Sequence, residues 1–236
     1  MSDIMALKKG IPLANIRRVD IVTEESTPRV MCFDSGSEAT AEPFVSEGTE
    51  SELRVKNQIY AQNNTETIVK GYNVSLTDVV FQPEVFAIVD GGKSTVSSAG
   101  EFEQYGGPVA GEETERIPFT TRIITEEKDY NGDVLSYMVF EVKHCKGTPA
   151  SFSIKDGEFY SPAYTIKSRP KQGERPIYMY RCKELPRYVV TADDLPAEGK
   201  TGVDYFVLAD ITAGETQYTA GDILKWDGAA YTKKNV

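Results

Sequence analysis

Between Phe119 and Ile166 short blocks of apolar and β-branched residues alternate with turn residues, and this stretch commits the chain to antiparallel β structure. Phe119, Thr121, Ile123 and Thr125 fall on one side of a period-two run, with Arg122 and Ile124 on the other. Asn131-Gly132 follows and predicts a hairpin, because both residues tolerate the positive φ of a tight turn. Leu135 to Val142 is then the returning strand. Lys146-Gly147-Thr148-Pro149 turns the chain again, and Phe152 and Ile154 predict a third strand. Asp156-Gly157 predicts another hairpin, and Phe159 to Ile166 a fourth strand. The expected product is a meander with one buried face.

Upstream, residues 1 to 15 show no periodicity and read as an arm that orders on assembly. Ile16 to Thr23 alternates as a strand, and Val30 to Phe33 forms a short second one after the break at Pro28. Asp34 to Glu52 is rich in Ser, Gly, Thr, Ala and Glu, too polar to bury a face, and reads as a long loop. Leu53, Val55, Asn57 and Ile59 alternate against Arg54, Lys56, Gln58 and Tyr60 as one half-buried strand. Asn63-Asn64 marks a turn, and Thr67 to Thr77 returns through Ile68, Tyr72, Val74 and Leu76. Gln82-Pro83-Glu84 opens a helix of about two turns, since proline at the first position forfeits no needed donor, and Gly91 supplies its left-handed cap. Lys93 to Glu115 carries Gly100, Gly106, Gly107, Pro108 and Gly111 and reads mainly as loop, with a hairpin at Gly106-Gly107.

After a basic connector carrying Arg169, Lys171 and Arg175, Ile177 to Cys182 closes the first unit near Pro186. From Tyr188 onward the chain becomes short strands (188–190, 204–208, 221–226, 230–231) joined by Pro, Gly and Asp turns, ending in a hairpin at Asp227-Gly228. The expected organisation is a domain of residues 1–186 and a small all-β domain of residues 187–236. The expected fold class is mainly β: an antiparallel β-sandwich or partial barrel with one short flanking helix, plus the small β appendage.

The 236 residues carry a net charge of −10, unevenly placed. Residues 1–118 hold 10 basic and 19 acidic side chains, residues 119–186 hold 11 and 9, and residues 187–236 hold 5 and 8. That balance opposes ordinary nucleic-acid binding, which draws on neutralising phosphates. No apolar run is long enough for a membrane helix. The N-terminus has Lys8 and Lys9 but no apolar core of signal-peptide length, so a cytoplasmic site of synthesis is expected. Cys32, Cys145 and Cys182, odd in number and far apart, read as free buried thiols.

Catalytic patterns are weak. Glu126-Glu127 and Asp193-Asp194 are neighbours that point to opposite faces of a strand, and His144-Cys145 fails as a base–nucleophile pair for the same reason. With one His and no Cys-x-x-Cys spacing, neither a zinc site nor another metal site is expected. The Gly-rich stretch from Gly91 to Gly111 lacks the ending of a phosphate loop, so no cofactor is expected and an enzyme is not. Trp226, Tyr205, Phe206 and Tyr231 could face a sugar, but a domain of about 50 residues needs such side chains for its core. A carbohydrate- or cell-surface-binding β module is the alternative reading.

The string Cys145-Lys146-Gly147-Thr148-Pro149, then Phe152 to Phe159 and Tyr164 to Pro170, resembles the C-terminal half of major tail tube proteins of long, non-contractile-tailed bacteriophages. Gly71 to Asp78, running into Phe81-Gln82-Pro83-Glu84-Val85 and Asp90-Gly91-Gly92, is similar to an earlier part of the same family. The pieces around Asp194-Leu195-Pro196, Tyr205-Phe206-Val207 and Leu224 to Gly228 resemble β appendages of phage structural proteins. The resemblance implies a virion tail-tube subunit assembled in the host bacterial cytoplasm. It also implies self-association in homo-hexameric rings whose strands join into one inner barrel, with a tape measure protein inside and tail terminator and distal tail proteins as end partners. DNA then passes without specific binding, so the lumen is expected to be acidic or neutral and lined by Glu50, Glu52, Gln58, Gln62, Thr67, Asn73, Ser75 and Asp78. Arg54 and Lys56 share that polar face and are expected to pair with acids. Subunit contacts are expected from the loops carrying Ser35, Glu42, Glu47, Phe102, Tyr105 and Glu112.

Overall fold

The alternating segments do become strands, and most of them join one sheet. The computed structural model describes residues 10–234. Its elements run β1 (Leu13–Thr23), β2 (Val30–Phe33), β3 (Gly36–Ser46), β4 (Ser51–Val55), β5 (Gln58–Asn63), β6 (Ile68–Asp78), helix α1 (Pro83–Asp90), β7 (Lys93–Val96) and β8 (Phe102–Gly106). Then come β9 (Phe119–Lys128), β10 (Val134–Gly147), β11 (Ala163–Ser168) and β12 (Ile177–Cys182). The remainder is β13 (Arg187–Val189), β14 (Asp204–Val207), β15 (Ile211–Ala213), β16 (Thr216–Tyr218), β17 (Ile223–Trp226) and β18 (Tyr231–Lys233). The protein is mainly β, with antiparallel pairing throughout the large sheet.

The β9–β10 hairpin forms where Asn131-Gly132 predicts it. Gly132 sits at φ 87°, and Asp129 Oδ1 accepts the N–H of Asn131 and of Asp133, both at 2.9 Å. Strand β10 is long enough to serve three neighbours. It pairs with β9 on one edge; on the other, Tyr137–Val142 pairs with β12 and Cys145–Gly147 with β11. The change of partner falls at His144, which adopts φ 51° beside a register shift. The resulting order is β2-β1-β9-β10-β11-β6-β3, with β12 also on β10.

The sheet curls until its ends approach: a Cβ on Gly36 of β3 would lie 3.3 Å from Val19 of β1. Inside the curl, Val19, Ile21, Val74, Leu76, Phe119 and Ile166 pack on Val85, Phe86, Ile88 and Val89 of α1. The helix starts at Pro83 and ends at Gly91, whose φ of 88° is the left-handed cap. It lies so close to β10 that a Cβ on Gly147 would stand 2.0 Å from the carbonyl oxygen of Val89.

Several sequence expectations give way. Residues 34–52 are not a loop: β3 spans eleven of them and pairs with β6 from Gly36↔Asp78 to Ser46↔Ile68. Its polar composition suffices because it is an edge strand held by backbone hydrogen bonds, with Ala39 as its side chain on the core. Residues 53–60 are not one strand but a hairpin, turned at Lys56, which has φ 54°. Asn63 ends that hairpin's second strand and does not itself make the turn. The hairpin inside 93–115 turns at residues 97–101, with Gly100 at φ 82° and Ser97 Oγ accepting two backbone N–H groups, and not at Gly106-Gly107. No strand forms between Gly147 and Ala163; Phe152, Ile154 and Phe159 lie exposed at 72%, 74% and 97%. The expected N-terminal arm, residues 1–15, includes residues 1–9, which lie outside the described residues, and residues 13–15, which are already in β1. Cys145 and Cys182 are buried, whereas Cys32 is exposed.

Residues after Pro186 carry their own sheet, β13-β14-β17-β18, in which β13 and β14 run parallel, and a separate β15–β16 hairpin that the sequence reading missed. Val189, Tyr205, Val207, Ile211, Tyr218 and Leu224 form its core. The final hairpin is as expected, Asp227 N–H donating to Ala230 O at 3.2 Å.

Candidate assembly and lumen surfaces

Strand alternation gives β6 two unlike faces. Val74, Leu76 and Asp78 point into the core; Asn73, Ser75 and Thr77 point out. Register extends the outward face across three strands: Glu42, Asn73 and Lys167 stand in one row, Thr40, Ser75 and Thr165 in the next, Glu38, Thr77 and Ala163 in the third. Two acids, one lysine and small uncharged side chains make it almost neutral. The far edge of β3 has no partner strand among the described residues; beyond Gly36, which lies near β1, its backbone groups are open except at Pro43, which has no N–H to offer.

The eight expected lumen residues divide into three groups. Asn73 and Ser75 lie on this outward face. Asp78 does not: it is fully buried, and its Oδ1 accepts the N–H of Val80 at 3.2 Å. Glu50, Glu52, Gln58, Gln62 and Thr67 belong to the β4–β5 arm and its connections, apart from the sheet, and all are exposed. On one face of the arm Glu52 bonds Arg54 at 2.8 Å and Gln62 at 3.0 Å. The other face presents Leu53 and Val55, 60% and 49% exposed, and covers nothing.

The expected contact residues are likewise scattered. Glu42 is on the outward face, Glu47 at the root of the arm, and Glu112 on an exposed loop. Ser35 holds the chain entering β3, its carbonyl accepting the N–H of Val79 at 3.2 Å. Phe102 packs edge-on to Phe81 and remains 46% exposed. Tyr105 is tied inward, its hydroxyl donating to Asp90 and its ring meeting Phe86 at 5.0 Å. Phe81, Phe86, Tyr105, Phe152, Ile154 and Tyr160 line an open apolar cavity of about 360 Å³.

A second cleft is mainly basic. Lys146 and Lys167 face each other directly in the β10–β11 register, and Arg169, Lys171 and Arg116 border the same hollow, with Glu113 and Glu115 also on its wall. Lys167 Nζ lies 4.6 Å from the Phe44 ring centroid. His144, at the strand divide, bridges Glu24 at 2.6 Å and Glu174 at 2.8 Å.

Farther along the same core-averted face, on β1, β9 and β10, lies a feature the sequence reading missed. Arg122, read only as the outward residue of its strand, is buried with Glu141, Nε to Oε2 at 2.6 Å. Its guanidinium stacks on Phe206 at 4.8 Å and Tyr188 at 5.3 Å. Beside it Arg18 bonds Asp20 at 2.6 Å and the carbonyl of Pro186 at 2.8 Å, and Tyr188 donates to Asp20 at 2.5 Å. Burial alone would raise the Glu141 pKa, but the Arg122 charge and hydrogen bond, with Lys143 and Tyr180, hold it below the usual carboxylate range. These contacts fasten residues 186–206 to the main sheet. The available signal was a charged residue interrupting an apolar strand run.

Trp226 and Tyr231 pack edge-on at 4.9 Å, and Tyr231 on the buried Tyr205 at 5.3 Å, so these aromatics serve the core of that sheet. Among the described residues no group of three His, Cys, Asp or Glu gathers to hold a metal ion.

No protein-family model and no curated protein matches the sequence. The structure is similar to a chain in the PVC sheath-tube complex of an extracellular contractile injection system in its extended state. That match has 13% identity, covers 76% of this chain and 97% of the other, and has a TM-score of 0.34. It is also similar to a chain of the anti-feeding prophage (AFP) baseplate, at 9% identity over 73% and 97%, with a TM-score of 0.35.

Proposed function

We propose that this chain is a structural subunit of a tail tube of the long, non-contractile phage type, polymerising as stacked hexameric rings. In this reading the β3 edge joins the sheet of the next copy, and the outward face of β3, β6 and β11 around Ser75, Thr77 and Thr165 lines the lumen, with Lys167 at its border. The lumen holds a tape measure protein before DNA passes, and tail terminator and distal tail proteins close the ends. The subunit is made in the host bacterial cytoplasm and resides in the virion. Residues 1–186 form the tube domain, and residues 187–236 decorate its outside.

The observation that carries the reading is the pairing of a long edge strand, without a partner strand on its far side among the described residues, with an almost neutral, small-residue face. An edge of that length is an association template, and a face poor in Lys and Arg lets phosphates slide past without capturing them. The sequence resemblance around residues 71–92 and 145–170 points to the same role. The test is replacement of Ala41 in mid-β3 by proline: Ala41 stands opposite Val74, whose backbone bonds β11, so its own N–H points to the open edge and its loss leaves the β3–β6 ladder intact. Tubes from the wild-type protein and dispersed, folded subunits from Ala41→Pro are expected; tubes from the variant would refute the role of that edge.

A further inference from the structure

Two surfaces of this chain are left without full partners among the described residues. The β4–β5 arm is a two-stranded hairpin, every residue of which is exposed, and such a hairpin is barely stable alone in water. Its Leu53 and Val55 face covers nothing, and at its root stand Glu47 and Glu50, which join no ion pair among the described residues. Conversely, Lys146 and Lys167 stand opposite each other across two strands, an unfavourable pairing of like charges, and Glu113 and Glu115 on the hollow's wall offset only part of the charge of Arg116, Lys146, Lys167, Arg169 and Lys171. Arg169 adds to this charge in a chain that is otherwise acidic.

The basic hollow does not end at the lysines. Gly147 and Thr148 line it, the N–H of Ala150 is held by Asp90 at 2.7 Å, and the chain then delivers Phe152 and Ile154 to the apolar cavity. Basic ground thus passes into aromatic ground along residues 146–154. The arm carries its charges in the same order, acids at the root and apolar side chains toward the tip.

We propose that the arm of one copy seats in this cleft of a second copy, Glu47 and Glu50 against Lys146, Lys167 and Arg169, and Leu53 and Val55 against the aromatic cavity. The contact is heterologous, a tongue on one side and a groove on the other, so it repeats without closing on itself. It rests on the reading of the chain as a polymerising subunit and names the surfaces that join.

The test is charge reversal and its compensation. Lys167→Glu with Arg169→Glu reverses the cleft, and Glu47→Lys with Glu50→Lys reverses the arm; all four together restore the match. Sedimentation velocity and negative-stain microscopy read assembly, with thermal melting as the check on folding. Each pair of changes is expected to raise the concentration needed for assembly about tenfold or more, since each places like charges in contact, and the fourfold variant to bring it back toward wild type. Should a variant pair lose its folded melt, the neutral Lys167→Gln with Arg169→Gln replaces it, with a smaller increase expected. Wild-type assembly with reversal pairs that assemble equally well, or a folded fourfold variant that stays dispersed, would overturn the docking alone. A wild-type chain that never assembles overturns both the docking and the tube reading. Low-salt retention of a short DNA duplex that Lys167→Glu with Arg169→Glu abolishes while leaving assembly intact would assign the cleft to nucleic acid instead.

Discussion

Replacing Arg122 by alanine isolates the contact that fastens the C-terminal part to the main sheet. The Arg122–Glu141 pair is 2.6 Å long with both side chains 8% exposed, and the guanidinium also stacks on two aromatic rings. Removing one partner of a buried pair costs about 3–5 kcal/mol, because the other charge is left in a poorly solvated place. Here Glu141 keeps Tyr180 at 3.2 Å and Lys143 at 3.5 Å, which puts the cost near the lower end, ~3 kcal/mol. For a chain of this size that lowers Tm by roughly 6–12 °C, measurable by calorimetry. Replacing both partners, Arg122→Met with Glu141→Gln, leaves no stranded charge and should cost less than Arg122→Ala alone. The pair also sets a pH dependence. Glu141 titrates lower in the folded than in the unfolded chain, so its contribution is complete above the ordinary glutamate range near ~4.3 and fades as pH falls below it. The Tm difference between wild type and Glu141→Gln should shrink accordingly on acidification. An Arg122→Ala protein that melts within about 1 °C of wild type at neutral pH would refute this reasoning.

Gly147→Ala drives a methyl into the Val89 carbonyl and should lower stability by about 3 kcal/mol or more, read as a large drop in the denaturant midpoint. Burial pushes Cys145 and Cys182 up to about 12; Cys32, exposed as a residue, is raised as far by partial burial of its thiol and by the Asp20 carboxylate beside it. At pH 8 a thiol reagent should therefore modify the exposed Cys32 slowly, and the other two only after unfolding. Lysines placed at Ser75 and Thr165, both exposed on the outward face, should leave tube formation intact but slow DNA delivery in an infection assay; unchanged delivery would count against the lumen assignment. A chain stopped after Leu185 should still assemble, but it exposes Arg122, Asp20 and Arg18 and should melt below wild type; loss of assembly by a folded truncation would contradict an outer, dispensable position.

What could be read from the sequence was whatever local chemistry dictates. Asn131-Gly132 places a hairpin, Pro83 and Gly91 bound a helix, and the alternation of β1, β6, β9 and β10 survives because each buries one face. Strand β3 could not be read, because its side chains contribute little and a distant strand, β6, supplies its partners. The reverse error occurred at Phe152 and Ile154: apolar alternation normally reports a strand in its own core, but here it supplies an open cavity and leaves the backbone unpaired. Asp78 is expected on the polar face, but the pleat turns it inward with Val74 and Leu76, and its carboxylate accepts the N–H of Val80. The Arg122 network joins residues from 18 to 206, and no local pattern carries such pairings. Alternation puts Asn73 and Ser75 on the outward face of β6, where the structure has them, while the arm residues stand off the sheet because a separate hairpin turned at Lys56 carries them.

The central claim is that this chain builds a tube by extending its sheet through the β3 edge into the next copy. Cryo-electron microscopy of the purified full-length protein at rising concentration tests it most directly. The account predicts stacked rings with an axial lumen, Asn73, Ser75 and Thr165 facing it, and the β3 edge hydrogen-bonded to a neighbouring subunit. Dispersed particles at every concentration, or rings in which that edge faces solvent, would contradict it.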